Sequence, residues 1–474
     1  MDEGLPKLKR LSSLVALLLV LYPLPARACA AYPSSDAEIL SKIKRFFESE
    51  DRAERLELAR RIAANDSYHP DRVSEWLHSA GLHGKLKAGT RTLTVTLEDG
   101  LRREVAVRIP DGYSPEKRWP LILAFHPTGA SGGDMIRLLA GRLGPLIDGY
   151  VVAAPTDYLP LNVDSGRSWR PEQRLVLREL RRLVHVDSDR VYVTGFSQGC
   201  YAAWSYATFY GDELAGALPV ACTFDAAPEI PGLWELLLPN VSNVPLLHVW
   251  GSEDNLPVYG IDLKTVKGVA AKLNQRVKEL TERLGLNVQN YVVEGGGHTF
   301  EPPAVLVGQL LKKRRVPYPT LVRHRFRYLV QGRASWLEAL SWDGDRWMPG
   351  PVQARAAPAE TREQAIGRRI AELSGLLEGE VRGQKIKVVQ RHVRALVLWL
   401  GEGMIDWDAP IEVTLDGEEV FKGKVTRDLY VCLTEAARTF DFDRLRWAGL
   451  QLSKGSRAAL IGNNNAPRGV IFEQ

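Results

Sequence analysis

At 474 residues the chain is too long for one ordinary core, so two or more units are expected. Hydrophobic residues make up 45% and charged residues 25%, which excludes a collagen-like, coiled-coil or wholly disordered protein. A formal net charge of +5 is small for this length and is no nucleic-acid footprint.

Lys7, Lys9 and Arg10 precede an apolar run from Leu11 to Leu24, followed by Ala26-Arg27-Ala28. A basic start, a short hydrophobic stretch and a small-x-small site read as a signal peptide over 1–28, hence a secreted or periplasmic protein. The run is short and broken by Pro23 and Pro25, so no stable membrane span is expected.

Residues 29–87 read as a helical segment. Ser35 and Asp36 offer a cap, and Ile39, Leu40, Ile43, Phe46 and Phe47 fall at helical spacing. This appendage is too small to hold a core of its own. From Thr92 the texture changes to alternation around the Asp99-Gly100 turn. Apolar runs follow at Pro120–Phe125, Tyr150–Ala154, Arg190–Thr194, Gly216–Ala221 and Val244–Trp250, Val288–Val293 reads as a last strand, and helical patterns such as Gln173–Leu183 and Leu263–Leu284 lie between them. Strands alternating with helices predict a mostly parallel α/β sheet over 88–319.

Beyond Pro319 that alternation stops. Short strands are expected at Arg323–Val330, Ser335–Trp342, Val352–Ala356, Ile386–Val389, Val393–Trp399, Ile411–Leu415 and Val420–Val425. They predict a β-sandwich-like accessory domain over 320–474, with a helical insertion near 360–377. The basic run Lys312–Arg315 reads as the solvated end of a helix. Of the four cysteines, Cys200 and Cys222 lie in apolar segments and read as buried thiols, with a bridge between them left open. No Cys/His pattern suggests zinc.

The chemistry centres on Gly195-Phe196-Ser197-Gln198-Gly199, at the end of an apolar strand and the start of an apolar helix. A serine on a tight strand-to-helix turn needs small residues on either side, because bulky ones would clash. The turn lifts the hydroxyl above the sheet and puts the Gln198 N–H at a helix N-terminus, where it can stabilise an oxyanion. A nucleophilic serine needs a base, and the base an orienting carboxylate. The strand Val244–Trp250 ends in Gly251-Ser252-Glu253-Asp254, which offers Asp254 as the acid with Glu253 as its neighbouring competitor. Val288–Val293 ends in Glu294-Gly295-Gly296-Gly297-His298, which offers His298 as the base. The loop His126-Pro127-Thr128-Gly129 should supply the second oxyanion donor, the Thr128 N–H, with His126 structural.

These stretches resemble the esterase and phospholipase–carboxylesterase branch of the α/β-hydrolases, close to polyhydroxybutyrate-depolymerase and feruloyl-esterase-like "predicted peptidases". The matching segments are Ile109–Pro115, His126–Gly129, Val186–Gly199, Gly251–Asp254 and Gly297-His298, within about residues 88–318. Pro127 stands where that family usually has glycine. The resemblance implies an α/β-hydrolase sheet flanked by helices and ester hydrolysis through a serine acyl-enzyme without a cofactor. A small-molecule ester or an acylated polysaccharide is the substrate it implies. A serine peptidase of the same fold, or an inactive polysaccharide-binding envelope protein, are the rival readings. Tyr158, Trp169 and Trp234 are candidate cleft aromatics, with core packing as their alternative.

Overall fold

The computed structural model describes residues 34–96, 100, 102–156, 172–224, 233–255, 268–343 and 354–462. The signal-peptide segment, Cys29, Tyr158, Trp169, most of the loop after Asp254 and the Asn463–Asn465 tail lie outside the described residues. Among the described residues no helix is long and apolar enough to cross a membrane.

The N-terminal segment forms α1 (Ser34–Glu48), α2 (Arg52–Ala63) and α3 (Val73–Ser79). Asp51 caps α2 by accepting the Ala53 N–H at 2.9 Å. Next come β1 (Gly89–Thr96), β2 (Arg102–Ile109), β3 (Trp119–Phe125), α4 (Gly132–Leu143), β4 (Val151–Pro155), α5 (Glu172–Leu183), β5 (Val186–Phe196) and α6 (Gln198–Tyr210). They continue as β6 (Gly216–Val220), α7 (Leu233–Leu237), β7 (Leu246–Gly251), α8 (Val269–Arg283), β8 (Val288–Val293) and α9 (Ala304–Leu310). The eight strands make one sheet in the order β1-β2-β4-β3-β5-β6-β7-β8. β2 runs antiparallel to both neighbours and all later pairings are parallel. That order is the α/β-hydrolase arrangement expected from the sequence. β3, β4, β6 and β7 are buried at every position, so their sequences run apolar without alternation. One face packs on α5 and α6, the other on α4 and α9.

The C-terminal part comprises β9 (Leu321–Phe326), β10 (Arg333–Ala334), β11 (Leu337–Trp342), α10 (Arg362–Leu373), β12 (Gly375–Arg382), β13 (Lys385–Arg391) and β14 (Val393–Gly401). It ends with β15 (Ile411–Leu415), β16 (Glu418–Gly423), α11 (Leu429–Thr439), β17 (Arg446–Ser453) and β18 (Ala459–Ile461). Two five-stranded sheets, β10-β11-β14-β17-β18 and β16-β15-β13-β12-β9, share one apolar core. The expected strand at Val352–Ala356 is not found over 354–356, which is irregular, and its first two residues lie outside the described residues. Helix α10 is the expected insertion. It leaves the sandwich and buries Ile366 and Ile370 in the hydrolase core.

Strand β14 explains where the N-terminal helices go. Leu396, Leu398 and Leu400 face the sandwich core, while the alternate residues Val397 and Trp399 face Val431 of α11. The far side of α11 (Cys432, Leu433, Ala436) then packs on Ile39, Ile43 and Phe46 of α1, Ile62 of α2 and Trp76 of α3. The helices that cannot form a core alone thus complete one with the opposite end of the chain. The basic run after α9 divides: Lys312 and Lys313 are exposed as expected, but Arg315 is buried against Asp189 and Asp441. The solvated-end reading fails there because two carboxylates from different parts of the chain converge on one guanidinium.

Three histidines meet at the same junction. His83 and His185 stack at 4.2 Å between ring centroids, and His78 Nδ1 lies 2.9 Å from His185 Nε2. His185 donates its Nδ1 proton to the Pro115 carbonyl at 2.6 Å, which leaves Nε2 to accept from His78 Nδ1, and His78 Nε2 meets Asp443 at 3.1 Å. Burial, with the neighbouring histidines, depresses His83 to about 3 and His185 to about 4, against 6.5 when exposed. The unfolded chain therefore takes up protons on these rings below pH 6.5 that the folded chain refuses. Their stabilising contribution is full above 6.5 and drains away as the pH falls towards about 4. Each ring contributes a slope of at most about 1.4 kcal/mol per pH unit. Urea midpoints measured from neutral pH down to that point should fall, and His185→Gln should flatten the profile. A profile equally steep in that variant would assign the acid sensitivity elsewhere.

Candidate active site

Strand β5 delivers Ser197 to the carboxyl edge of the sheet and α6 begins at the next residue. Ser197 sits at φ 57°, ψ −117°, a region that costs a side-chain-bearing residue roughly 1–3 kcal/mol. Its N–H donates to the Val220 carbonyl at 3.0 Å, and its carbonyl accepts the Cys200 N–H at 3.0 Å. The hydroxyl is not spent on capping α6. Both flanking glycines are required by close approach. A Cβ on Gly195 would run into the Gly199 carbonyl, and one on Gly199 into the carbonyl of Phe125. The second contact also seats the turn on the start of the His126–Gly129 loop.

Two further loops leave the same edge. After β7, Asp254 is buried (1% exposed) whereas Glu253 points to solvent, which separates the two candidate acids. After β8, His298 Nδ1 lies 3.0 Å from Asp254 Oδ2. The loops are knitted by backbone: Glu253 N–H to Gly296 O at 2.9 Å, Ser252 N–H to Val293 O at 3.0 Å, and Gly295 N–H to Ser252 Oγ at 2.8 Å. A carboxylate only accepts, so the imidazole donates its Nδ1 proton there and keeps the Nε2 lone pair for a proton. The His298 ring, 23% exposed, lies 5.2 Å from the Phe196 ring, beside the residue that precedes Ser197.

The remaining sequence candidates fall as follows. Gln198 opens α6, so its N–H belongs to the first turn, for which the helix supplies no carbonyl. Thr128 is exposed, in a turn closed by the Ala130 N–H on Pro127 O at 3.2 Å. His126 is buried, with Nδ1 and Nε2 each 2.8 Å from a carbonyl, of Pro127 and Thr156. It is a structural residue, as the sequence suggested. Ser131 then starts α4 with a reciprocal capping box to Asp134. Trp234 packs in the core against Phe224, the alternative that the sequence left open for it. His248 on β7 is likewise structural: burial lowers it to about 4, and it bonds the Cys222 carbonyl at 3.0 Å. Among the described residues no group of three or more His, Cys, Asp or Glu side chains could hold a metal.

The buried-thiol reading of Cys200 and Cys222 is corrected: they form a disulfide, with Cα atoms 5.8 Å apart. Cys200 lies in the first turn of α6 and Cys222 just past β6, two segments that the sheet order makes neighbours. Among the described residues the free thiol is Cys432, buried against the N-terminal helices. Sequence reasoning also passed over Phe196 and Arg142, whose guanidinium covers the Phe196 ring at 4.6 Å. The only sequence signal for Phe196 was its place inside the five-residue motif.

No family model matches the chain. It is 27% identical over 177 residues to feruloyl esterase B from Piromyces equi, across 35% of this chain and 31% of that protein's length. Among solved structures it is similar to a thermostable esterase (16% identity, TM-score 0.37), over 48% of this chain and 63% of that one. A poly(3-hydroxybutyrate) depolymerase from Bordetella parapertussis gives 17% identity and TM-score 0.36, over 47% and 95%.

Proposed function

We propose that the chain is an exported serine hydrolase that cleaves carboxylic esters through Ser197, His298 and Asp254. The observation that carries the reading is the buried Asp254 carboxylate bonded to His298 at 3.0 Å, with the imidazole 5.2 Å from the ring of Phe196, the residue before a serine held at φ 57° on a strand-to-helix turn. His298 Nε2 takes the Ser197 proton as Oγ attacks the ester carbonyl. The Gln198 and Thr128 N–H groups receive the oxyanion, and Asp254 stabilises the imidazolium that forms. As the tetrahedral intermediate collapses, His298 returns the proton to the departing alcohol. Water, deprotonated by His298, then attacks the acyl-enzyme and frees the acid and Ser197. The similarity to a feruloyl esterase supports an ester of an aromatic acid as substrate. Export is supported by the Cys200–Cys222 disulfide, a bond that persists in oxidising compartments.

The test is labelling of the purified protein with a fluorophosphonate, with Ser197→Ala alongside, and assays on aryl acetates, feruloyl esters and aminoacyl amides. Wild type should label and hydrolyse the esters, and the variant should do neither. Hydrolysis of the amides alone would assign a peptidase. Absence of both labelling and turnover would overturn the hydrolase reading.

A further inference from the structure

We infer that Phe196 and Arg142 are positioning residues that hold the His298 imidazole against Ser197, an inference that rests on the proposed serine-hydrolase reading. Bonded to Asp254 through Nδ1 alone, the imidazole can still swing about that contact. The hydrogen bonds that tie Gly295 and Gly296 to the Asp254 loop fix the chain before His298 but leave the side-chain torsions of the ring free. The constraint comes from the elbow. The Phe196 ring lies 5.2 Å from the imidazole at an interplanar angle of 38°, and so blocks one direction of swing.

Phe196 is itself held. It packs, partly buried, against the apolar layer that contains Met135, Leu139 and Val220. The Arg142 guanidinium, 12% exposed in the last turn of α4, covers its ring at 4.6 Å. Arg142 also lies 3.8 Å from Glu301, three residues beyond His298. The guanidinium therefore touches both the elbow and the chain that leaves the histidine. These contacts close a circuit from Ser197 through Phe196, Arg142 and Glu301 back to His298. A neighbouring arginine supplies a control: Arg137 is on the same helix, exposed and paired with Asp134.

The experiment compares Phe196→Ala, Phe196→Tyr, Arg142→Ala, Arg142→Lys and Arg137→Ala in the full chain. It reads kcat, KM, the rate of fluorophosphonate labelling and the ring-proton NMR signals of His298. Phe196→Ala should lower kcat and the labelling rate about 10- to 100-fold with KM nearly unchanged, the loss expected of a misplaced general base. Phe196→Tyr keeps the ring and should restore most of kcat. Arg142→Ala should give a smaller loss of the same kind, which Arg142→Lys partly rescues, and Arg137→Ala should give none. In Phe196→Ala the His298 signals should lose their ring-current shift and broaden. Unchanged kcat and His298 signals in Phe196→Ala, or a rise in KM alone, would overturn the proposal. If wild type fails to label, the hydrolase reading falls, and unchanged His298 signals in Phe196→Ala would still refute the positioning contact by themselves.

Discussion

Asp254→Asn is expected to lower kcat on an aryl ester by about 10⁴-fold, with Glu253→Gln within about twofold of wild type. Asp254 is buried and accepts from His298 Nδ1 at 3.0 Å, so the second ring nitrogen is the one presented as base. An asparagine amide in that place can donate to Nδ1, which moves the ring proton to Nε2 and removes the base. It also withdraws the negative charge that stabilises the imidazolium as Ser197 gives up its proton. Glu253 is exposed, and its backbone N–H, not its side chain, ties it to Gly296. The measurement is steady-state kinetics on both variants, with thermal melting to establish that each is folded. Adding His298→Ala to Asp254→Asn should cost little more, because the two residues act as one unit. A large loss in Glu253→Gln with Asp254→Asn active would exchange their roles.

Much of this site was legible because its parts are local. The Gly195–Gly199 turn is five consecutive residues whose glycines are dictated by contacts with near neighbours. The acid and the histidine each lie a few residues past the end of a strand that the sequence shows. What stayed hidden depends on approach between distant segments. Cys200 and Cys222 pair because α6 and β6 are adjacent in the sheet, a fact of topology that no spacing reveals. β12 was not expected: its first three residues fell within the helical insertion read to 377 and the rest had no assignment, since Gly375 and Gly379 dilute its strand character. Both are glycines because Phe326 and Trp336 lie where a Cβ would stand. α11 and β17 escaped notice in the same way: their apolar residues answer to partners at the far end of the chain and across the sandwich. Arg142 and Phe196 meet only because α4 returns over the elbow.

Arg315→Met should destabilise the protein by about 3–5 kcal/mol, the cost of removing one partner from a buried, hydrogen-bonded ion pair. Arg315 is 2% exposed and makes a two-point contact with Asp441, at 2.6 and 3.0 Å, while its Nη2 also reaches Asp189 at 2.9 Å. Asp189 belongs to β5, the strand that leads to Ser197, and Asp441 follows α11, so this guanidinium joins the eight-stranded sheet to the C-terminal sandwich. The surrounding arginines hold the Asp441 carboxyl far below the usual carboxylate range, with Arg315 first among them, then Arg181 and Arg444. With Arg315 gone, Asp441 keeps Arg444 at 3.4 Å and Arg181 at 4.0 Å but loses both short bonds. Arg315→Lys should recover only part of the loss, since one ammonium cannot reproduce the two-point contact or reach Asp189 in the same plane. Adding Asp441→Leu to Arg315→Met should not restore stability either, because Arg181 and Arg444 would then lose a carboxylate inside the protein. Urea unfolding with and without added salt checks this. The loss should persist at high salt, as screening reaches exposed charges and not this one. A midpoint unchanged in Arg315→Met would mean that the two halves are held without this guanidinium, by their apolar contacts and by other pairs such as Arg444 with Asp212 at 2.9 Å.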